Sequence, residues 1–156
     1  MPSTDRRRDV LDSLGRAIVT GEMTPGQSLT LEAIQSRYGV SRTLARDCVH
    51  TLESVGIVAS RRRVGIVVLP REHWSALAPE LVRWQLEADP HGPKLGALTE
   101  LRAAIEPVAA AAAARRATED QRSGLLALAA AIRAKGTTGN VASYLDDDIA
   151  FHSLIL

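Results

Sequence analysis

Cysteine and long apolar segments are nearly absent from this sequence. Its 156 residues include one cysteine, Cys48, so no disulfide framework can form within the chain, which fits a cytoplasmic location. No apolar run approaches the roughly 20 residues that a membrane-spanning helix needs. The charged start, MPSTDRRRD, is not followed by the apolar region of a secretory signal. These absences predict a cytoplasmic globular protein with no membrane partner.

The residue groups that enzymes use are also missing. We find no nucleophile paired with a general base, and no glycine-rich loop that would hold a phosphate. The alternative hypothesis is an enzyme that binds a metal through the aspartate-rich segment 146–148, but no other residues support that hypothesis. We therefore expect a protein that is not an enzyme.

Charge is unevenly distributed along the chain, although the net charge is only +1. Residues 1–70 hold ten Lys and Arg against seven Asp and Glu, a net of +3, whereas residues 71–156 hold nine against eleven, a net of −2. A basic half joined to an acidic half favours a nucleic-acid-binding module that carries a second domain.

Two short amphipathic segments joined by a glycine form the centre of the basic half. The first, Leu31–Tyr38, is followed by the turn residue Gly39, and the second begins at Ser41, whose side-chain oxygen can cap a helix. The apolar residues of the second segment recur at helical spacing: Ala45, Cys48, Val49, Leu52 and Val55. This order of helix, tight turn and helix predicts a helix-turn-helix.

The side of the second helix opposite the apolar stripe is basic. Arg42, Thr43 and Arg46 lie at its start, the part of a recognition helix that reaches base edges in the major groove. An arginine can donate to O6 and N7 of guanine, whereas threonine and the helix N-terminus suit phosphate. A solvated basic face is the alternative interpretation of these residues.

Two β-branched segments follow, Ile57–Ala59 and Val64–Leu69, and they predict a hairpin. Arg61, Arg62 and Arg63 stand at its tip, where they would lie along the minor groove or the DNA backbone. Taken alone, a charged loop would explain them equally well. A basic helix followed directly by an arginine-tipped hairpin predicts a winged helix-turn-helix that binds double-stranded DNA.

The remainder of the chain has helical periodicity, and at Pro79 we expect either two helical pieces or a bend. We therefore predict a mainly α fold: a winged helix-turn-helix of three helices and a two-stranded wing in residues 5–70, a linker helix region at 71–93, and an all-helical domain at 94–156. The chain stops at Leu156 within an apolar helical pattern, so we expect the second domain to be truncated.

Several blocks of the basic half resemble the winged helix-turn-helix of the GntR family of transcription regulators. They are Ile18–Gly26, Tyr38–Thr43 and Leu52–Val58, in the order and spacing of the family. The resemblance implies a homodimer that binds a two-fold-related operator. It also implies that five residues lie at the DNA: Ser41, Arg42, Thr43, Arg46 and, in the wing, Gly65.

The acidic half resembles the effector domain of the FadR subgroup of that family, the FCD domain. The matching segments are Glu100–Arg102, Ile105–Pro107, the alanine-rich helix, Arg116–Thr118 and Asp148–His152. That domain is all helical, dimerises and binds small effectors. The block from Trp74 to Trp84 is similar to members that sense sugar acids. The resemblance thus implies a regulator that responds to a small carboxylic acid, and more narrowly to a sugar acid.

Arg102 has two interpretations of equal weight. It matches a position where family members hold an arginine that faces the carboxylate of the effector. It could instead form an i,i+4 pair with Glu106.

Asp148 and His152 are four residues apart, so on a helix they could chelate one cation or simply contact each other. The resemblance implies a divalent metal (Zn, Mn or Ni) whose site needs two further histidines. Because His50, His73 and His91 are unsuitably placed, we expect this chain not to hold the metal tightly.

The leading hypothesis is therefore a transcription regulator whose affinity for DNA changes when a small acid binds. An architectural DNA-binding protein without an effector response is the alternative. The helical second domain argues against that alternative.

Overall fold

The computed structural model describes residues 3–136 and 141–155, within two compact units, Met1–Leu95 and Gly96–Leu156. Both units are mainly helical, as predicted, and the strands among the described residues belong to the first unit. Leu156, where the predicted helical pattern stops, lies outside the described residues. No helix in the described part of the chain is long and apolar enough to cross a membrane.

The first unit contains the predicted helix-turn-helix. A long helix precedes the motif, and a small sheet and a further helix follow it. The elements in chain order are α1 (Ser3–Val19), β1 (Ser28–Leu29), α2 (Leu31–Tyr38), α3 (Arg42–Ser54), β2 (Val58–Arg61), β3 (Gly65–Val68), a short 3₁₀ helix (Arg71–His73) and α4 (Pro79–Ala88).

Local hydrogen bonds fix the turn between α2 and α3. Gly39 has a φ of 61°, a left-handed conformation that suits glycine, and its N–H donates to the Gln35 carbonyl at 2.8 Å. Ser41 caps α3, because its Oγ accepts the N–H of Leu44 at 3.2 Å. The turn and the cap predicted from sequence are confirmed.

The wing is larger than the predicted two-stranded hairpin, because a third strand joins it. The strand order is β1-β3-β2, and both pairings are antiparallel. Strand β1 consists of Ser28 and Leu29 alone, which is too short to give a strand signal in sequence. The hairpin also extends further toward its tip than predicted, since Ser60 and Arg61 belong to β2.

The apolar stripe of α3 forms the centre of the core of the first unit. Ala45 and Cys48 have no exposed surface, and Val49, Leu52 and Val55 are also buried. Burial raises the pKa of the Cys48 thiol, so the thiol stays protonated and behaves as a small apolar group. The predicted inward face of α3 is therefore confirmed along its whole length.

Helix α4, from the predicted linker region, packs against α1 and completes this core. Leu81 and Trp84 are fully buried. The Trp84 ring lies so close to Gly15 of α1 that a Cβ atom there would come within 2.5 Å of the indole carbons. Of the two pieces or the bend expected at Pro79, the structure has two pieces, the 3₁₀ helix Arg71–His73 and α4. Pro79 is the first residue of α4, a position at which its missing N–H removes no helical hydrogen bond.

A network of charged side chains also joins α4 to α1. Arg83 donates to both carboxylate oxygens of Asp12, and Trp84 Nε1 donates to Asp12 Oδ1 at 2.9 Å. Glu87 accepts from Arg83 at 3.1 Å and from Arg16 at 3.0 Å. Asp12 is 8% exposed, whereas the Arg83 side chain is 34% exposed, so the ionic bond between them is partly shielded from water.

The pKa of Asp12 reflects these contacts. Burial on its own would raise it, but the hydrogen bonds from Arg83 and Trp84 and the charges of Arg83 and Arg16 outweigh burial. The pKa of the carboxyl therefore lies below its ordinary value of 3.8. The bond to Asp12 likewise raises the pKa of Arg83.

The described residues of the second unit form three helices: α5 (Pro93–Arg116), whose first residues belong to the first unit, α6 (Glu119–Gly136) and α7 (Val141–Ile155). Thr118 caps α6 as predicted, since its Oγ1 accepts the N–H of Gln121 at 3.3 Å. All the buried apolar side chains among the described residues belong to the first unit. The second unit instead exposes several large apolar side chains, namely Ile105, Val108, Leu126 and Ile149.

We expect Asp12→Ala to lower the free energy of unfolding by about 1–3 kcal/mol, because it leaves the buried N–H of Trp84 without an acceptor and Arg83 without its buried partner. Urea unfolding at pH 7 measures the change. Asp9→Ala, at an exposed position on the same helix, is the control. Equal effects of the two substitutions would contradict this role for Asp12.

The same substitution should change the pH dependence of stability. A carboxylate whose pKa is lowered by folding stabilises the fold above its unfolded-state pKa, and this contribution is lost as the pH falls through the folded-state value. The difference in the free energy of unfolding between wild type and Asp12→Ala should thus be complete above about pH 5 and shrink below about pH 4.

Candidate DNA-binding surface and effector site

The first turn of α3 presents the predicted DNA-contacting side chains together. Ser41, Arg42, Thr43 and Arg46 are exposed, while the opposite face of the helix is buried in the core. Arg42 and Arg46 are four residues apart, so they project from the same side of the helix. The free N–H groups of the helix N-terminus also favour an anion such as phosphate. These four residues form an accessible basic edge.

Arg42 has a weak ionic partner within the protein. Its Nη1 lies 3.8 Å from Oε1 of Glu32 on α2, and the two side chains are 70% and 68% exposed. An exposed pair of this kind contributes about 0–1 kcal/mol, so a DNA group can replace the carboxylate at little cost.

The wing carries its arginines where β2 turns into β3. Arg61 ends β2, Arg62 and Arg63 belong to the connection, and all three are exposed. Gly65 has a φ of +101°, and a Cβ atom there would lie 2.7 Å from the carbonyl oxygen of Leu29. The close packing of β3 against β1 therefore explains why residue 65 is a glycine.

A hydrogen bond that sequence reasoning missed joins the recognition helix to the wing. Glu53, in the last turn of α3, accepts the backbone N–H of Ser60 at 2.7 Å. Ser60 lies on β2, the outer strand of the sheet, so the bond fixes the position of the wing relative to α3. No local pattern could signal this bond, because it depends on how the strand passes the helix.

An open cleft of about 610 Å³ lies between α3 and the wing. It brings the predicted arginines of α3 together with polar side chains of its later turns. The residues that line it include Arg42, Arg46, Asp47, His50, Glu53 and Ser60. Because residues from Arg42 to Glu53 line the cleft, it follows most of the length of α3.

In the second unit, Arg102 stands at the centre of a charged cluster. Its Nε donates to Glu106 Oε1 at 2.5 Å, and its Nη2 donates to His152 Nε2 at 2.6 Å and lies 4.0 Å from Asp148 Oδ2. The i,i+4 pair with Glu106, one of the two sequence interpretations, is therefore present. The other interpretation, an arginine that faces the carboxylate of the effector, stays a prediction.

The structure also brings Asp148 and His152 together on α7. Asp148 Oδ1 lies 3.5 Å from His152 Nε2, and Glu106 Oε1 lies 3.3 Å from His152 Nδ1. In the described part of the chain, no group of three or more His, Cys, Asp or Glu side chains could hold a metal ion. The residues fit a divalent cation only in part, since they supply two ligands and place the Arg102 guanidinium beside one of them.

Comparison with known proteins gives two family matches and several relatives. Residues 6–68 match the family described as bacterial regulatory proteins, gntR family, and residues 97–156 match the FCD domain. The chain is 31% identical over 145 residues to the uncharacterized HTH-type transcriptional regulator YieP of Escherichia coli (strain K12), covering 92% of this chain and 63% of that protein. It is 34% identical over 116 residues to the galactonate operon transcriptional repressor of the same strain, covering 74% of this chain and 49% of the repressor.

The chain thus spans about half to two-thirds of the length of these curated relatives. Among solved structures it is similar to Lar, which controls the expression of the Listeria monocytogenes agr system, with a TM-score of 0.55 and 22% identity. That match covers 96% of this chain and 61% of Lar, and it supports the fold alone. The matched families and curated relatives are transcription regulators rather than enzymes, as the sequence led us to expect.

We expect Arg46→Ala to weaken binding to the preferred DNA sequence by about 1–3 kcal/mol and to relax the preference at one base pair, because an arginine of the first turns can read a guanine edge. Arg62→Ala should weaken all sequences alike, because phosphate contacts carry no sequence information. Fluorescence anisotropy with a duplex selected from random DNA, and with its single-base variants, measures both effects. An unchanged affinity in Arg46→Ala would contradict the placement of α3 in the groove.

Proposed function

Because this chain belongs to the GntR family of bacterial regulatory proteins and carries an FCD domain, we propose that it is a DNA-binding transcription regulator that responds to a small carboxylic acid. The observation that carries the proposal is the accessible basic edge of α3, with the wing fixed beside it by the bond from Ser60 to Glu53.

Double-stranded DNA is the partner that suits this surface. The major groove is about 12 Å wide and admits an α-helix. With the first turn of α3 in the groove, Arg42 and Arg46 would meet base edges while Ser41 and Thr43 would meet phosphate. The wing arginines would then lie at the adjacent backbone or minor groove, where cations are attracted.

We further propose that the regulator acts as a homodimer on a two-fold-related operator. The second unit supports this, because Val108 and Leu126 are 69% and 73% exposed and an apolar groove of about 410 Å³ runs beside the alanine-rich part of α5. Apolar surface of this kind favours burial against another protein surface. In a dimer, two α3 helices would meet half-sites about 34–36 Å apart.

Arg102 is the proposed recognition residue for the acid. A carboxylate that takes the N–H groups of Arg102 would compete with Glu106 on α5 and His152 on α7, and so would change how these helices are held together. A relative that represses the galactonate operon supports a sugar acid within this class.

Some FCD domains bind a metal, and Asp148 and His152 are the side chains that would contribute ligands here. When bound, a divalent cation such as Zn, Mn or Ni would bring positive charge to the effector site. We propose that this chain holds it weakly. We also propose a cytoplasmic location, where the DNA target is accessible.

An architectural DNA-binding protein is the second candidate function. It would bind DNA through the same surface, and no acid would alter its affinity. The helical second unit favours the regulator, because it matches the FCD domain and a purely architectural role does not require such a domain.

The effector proposal is tested by anisotropy with the selected duplex and a panel of sugar acids and short carboxylic acids. We expect one of them to change the affinity by at least about fivefold, a typical allosteric coupling. Arg102→Gln should abolish the change but leave the affinity without acid intact, whereas the exposed Arg133→Gln should respond like wild type. Sequence-specific binding that no acid alters would favour the architectural candidate.

Metal affinity is tested by calorimetric titration with zinc, manganese or nickel. We expect weak or undetectable binding to the wild-type chain, because two protein ligands are fewer than the three or four of a stable site. Arg102→Gln should strengthen binding, since it removes a positive charge beside His152. Tight stoichiometric binding by the wild type would contradict this expectation.

A further inference from the structure

We propose a second DNA contact on the other flank of α3, where a notch formed by Arg7, His50 and Thr51 binds a backbone phosphate. The proposal rests on the proposed function and adds a site to it. The predicted contacts lie in the first turns of α3 and in the wing, whereas this notch lies between the N-terminal part of α1 and the third turn of α3.

The N-terminal arginines of α1 are held against the helix-turn-helix by specific bonds. Arg7 Nη2 donates to Thr51 Oγ1 at 2.8 Å, and Arg6 Nη2 donates to the carbonyl of Gly39 at 3.2 Å. The Thr51 hydroxyl in turn donates to the carbonyl of Asp47 at 3.1 Å, which orients it to accept from Arg7. The Arg7 guanidinium is therefore positioned before any ligand arrives.

The notch is open, with a volume of about 380 Å³, and its donors suit phosphate oxygens. The bond to Thr51 engages Nη2 alone, and the guanidinium has five N–H groups in total. His50 is exposed on the neighbouring turn of α3 and adds an imidazole. Asp47 is the carboxylate among the lining residues, so it should oppose a phosphate there.

The notch is continuous with the predicted DNA-binding surface. His50 and Asp47 line both the notch and the cleft that contains Arg42 and Arg46. His50 follows Arg42 by eight positions, which corresponds to about 12 Å of helix at 1.5 Å per residue and matches the roughly 12 Å width of the major groove. When the first turn of α3 reaches the bases, its third turn therefore lies at the border of the groove, where phosphates stand.

The test uses the full chain, a selected duplex and an unrelated duplex, with affinities measured by anisotropy over a series of salt concentrations. We expect Arg7→Gln to weaken both duplexes by the same factor and to reduce the slope of log affinity against log salt by about one. Arg8→Gln, at an exposed arginine of the same helix that does not line the notch, is the matched control and should retain the slope. Thermal unfolding of each variant checks that the fold is intact.

Two further substitutions test the neighbouring side chains. His50→Gln should weaken both duplexes several-fold without changing their ratio, whereas His73→Gln, also at an exposed histidine of the first unit, should change nothing. Asp47→Asn should strengthen both duplexes, because it removes a negative charge beside the phosphate.

An unchanged salt slope in Arg7→Gln, or a loss confined to the selected duplex, would overturn the proposal. The proposal would also be overturned if Arg7→Gln lowered the affinity for inorganic phosphate at matched ionic strength but left the affinity for duplex DNA unchanged. Binding to the unrelated duplex tests the notch even if the chain prefers no operator sequence. The proposed function fails separately, if no selected sequence is preferred over unrelated DNA.

Discussion

The burial of one face of α3 is the constraint on which the rest of the first unit depends. Ala45 and Cys48 have no exposed surface, so α1, α2 and the sheet close around them. A helix buried on one side must present its other side to solvent, and here that side begins with Ser41, Arg42 and Arg46. The cap at Ser41 and the left-handed turn at Gly39 determine where the exposed side starts.

Arginine serves two different purposes in this unit, and burial distinguishes them. Arg83 bonds Asp12, which is nearly buried, so breaking this pair would leave a carboxylate without its partner, and the pair helps to hold α4 against α1. Arg42 and Glu32 form a solvated pair at 3.8 Å that is worth little. An arginine that exchanges its partner easily is suited to binding DNA, whereas one whose exchange would unfold a helix is suited to structure.

Sequence reasoning succeeded where the determinant is local. The cap at Ser41, the turn at Gly39 and the apolar stripe of α3 all follow from residues within a few positions of each other. It missed the bond between Glu53 and Ser60, the two-residue strand β1 and the docking of α4. Those features depend on tertiary contacts, such as that between Asp12 and Arg83, which are 71 residues apart. The exposed basic residues of α3 could thus be located from the local sequence pattern, but the tertiary bonds around them could not.

The second unit differs from the first in how its charged groups are held. The Arg102 side chain is 54% exposed, although it donates to Glu106 on α5 and to His152 on α7. Solvation keeps such bonds weak, so a ligand needs only modest differential affinity to exchange them. A comparable exchange at the buried Asp12 would destabilise the whole first unit. The first unit thus holds its main inter-helix charges in a nearly buried contact, whereas the described part of the second unit holds its charges in solvated bonds, and the proposed effector response would use that difference.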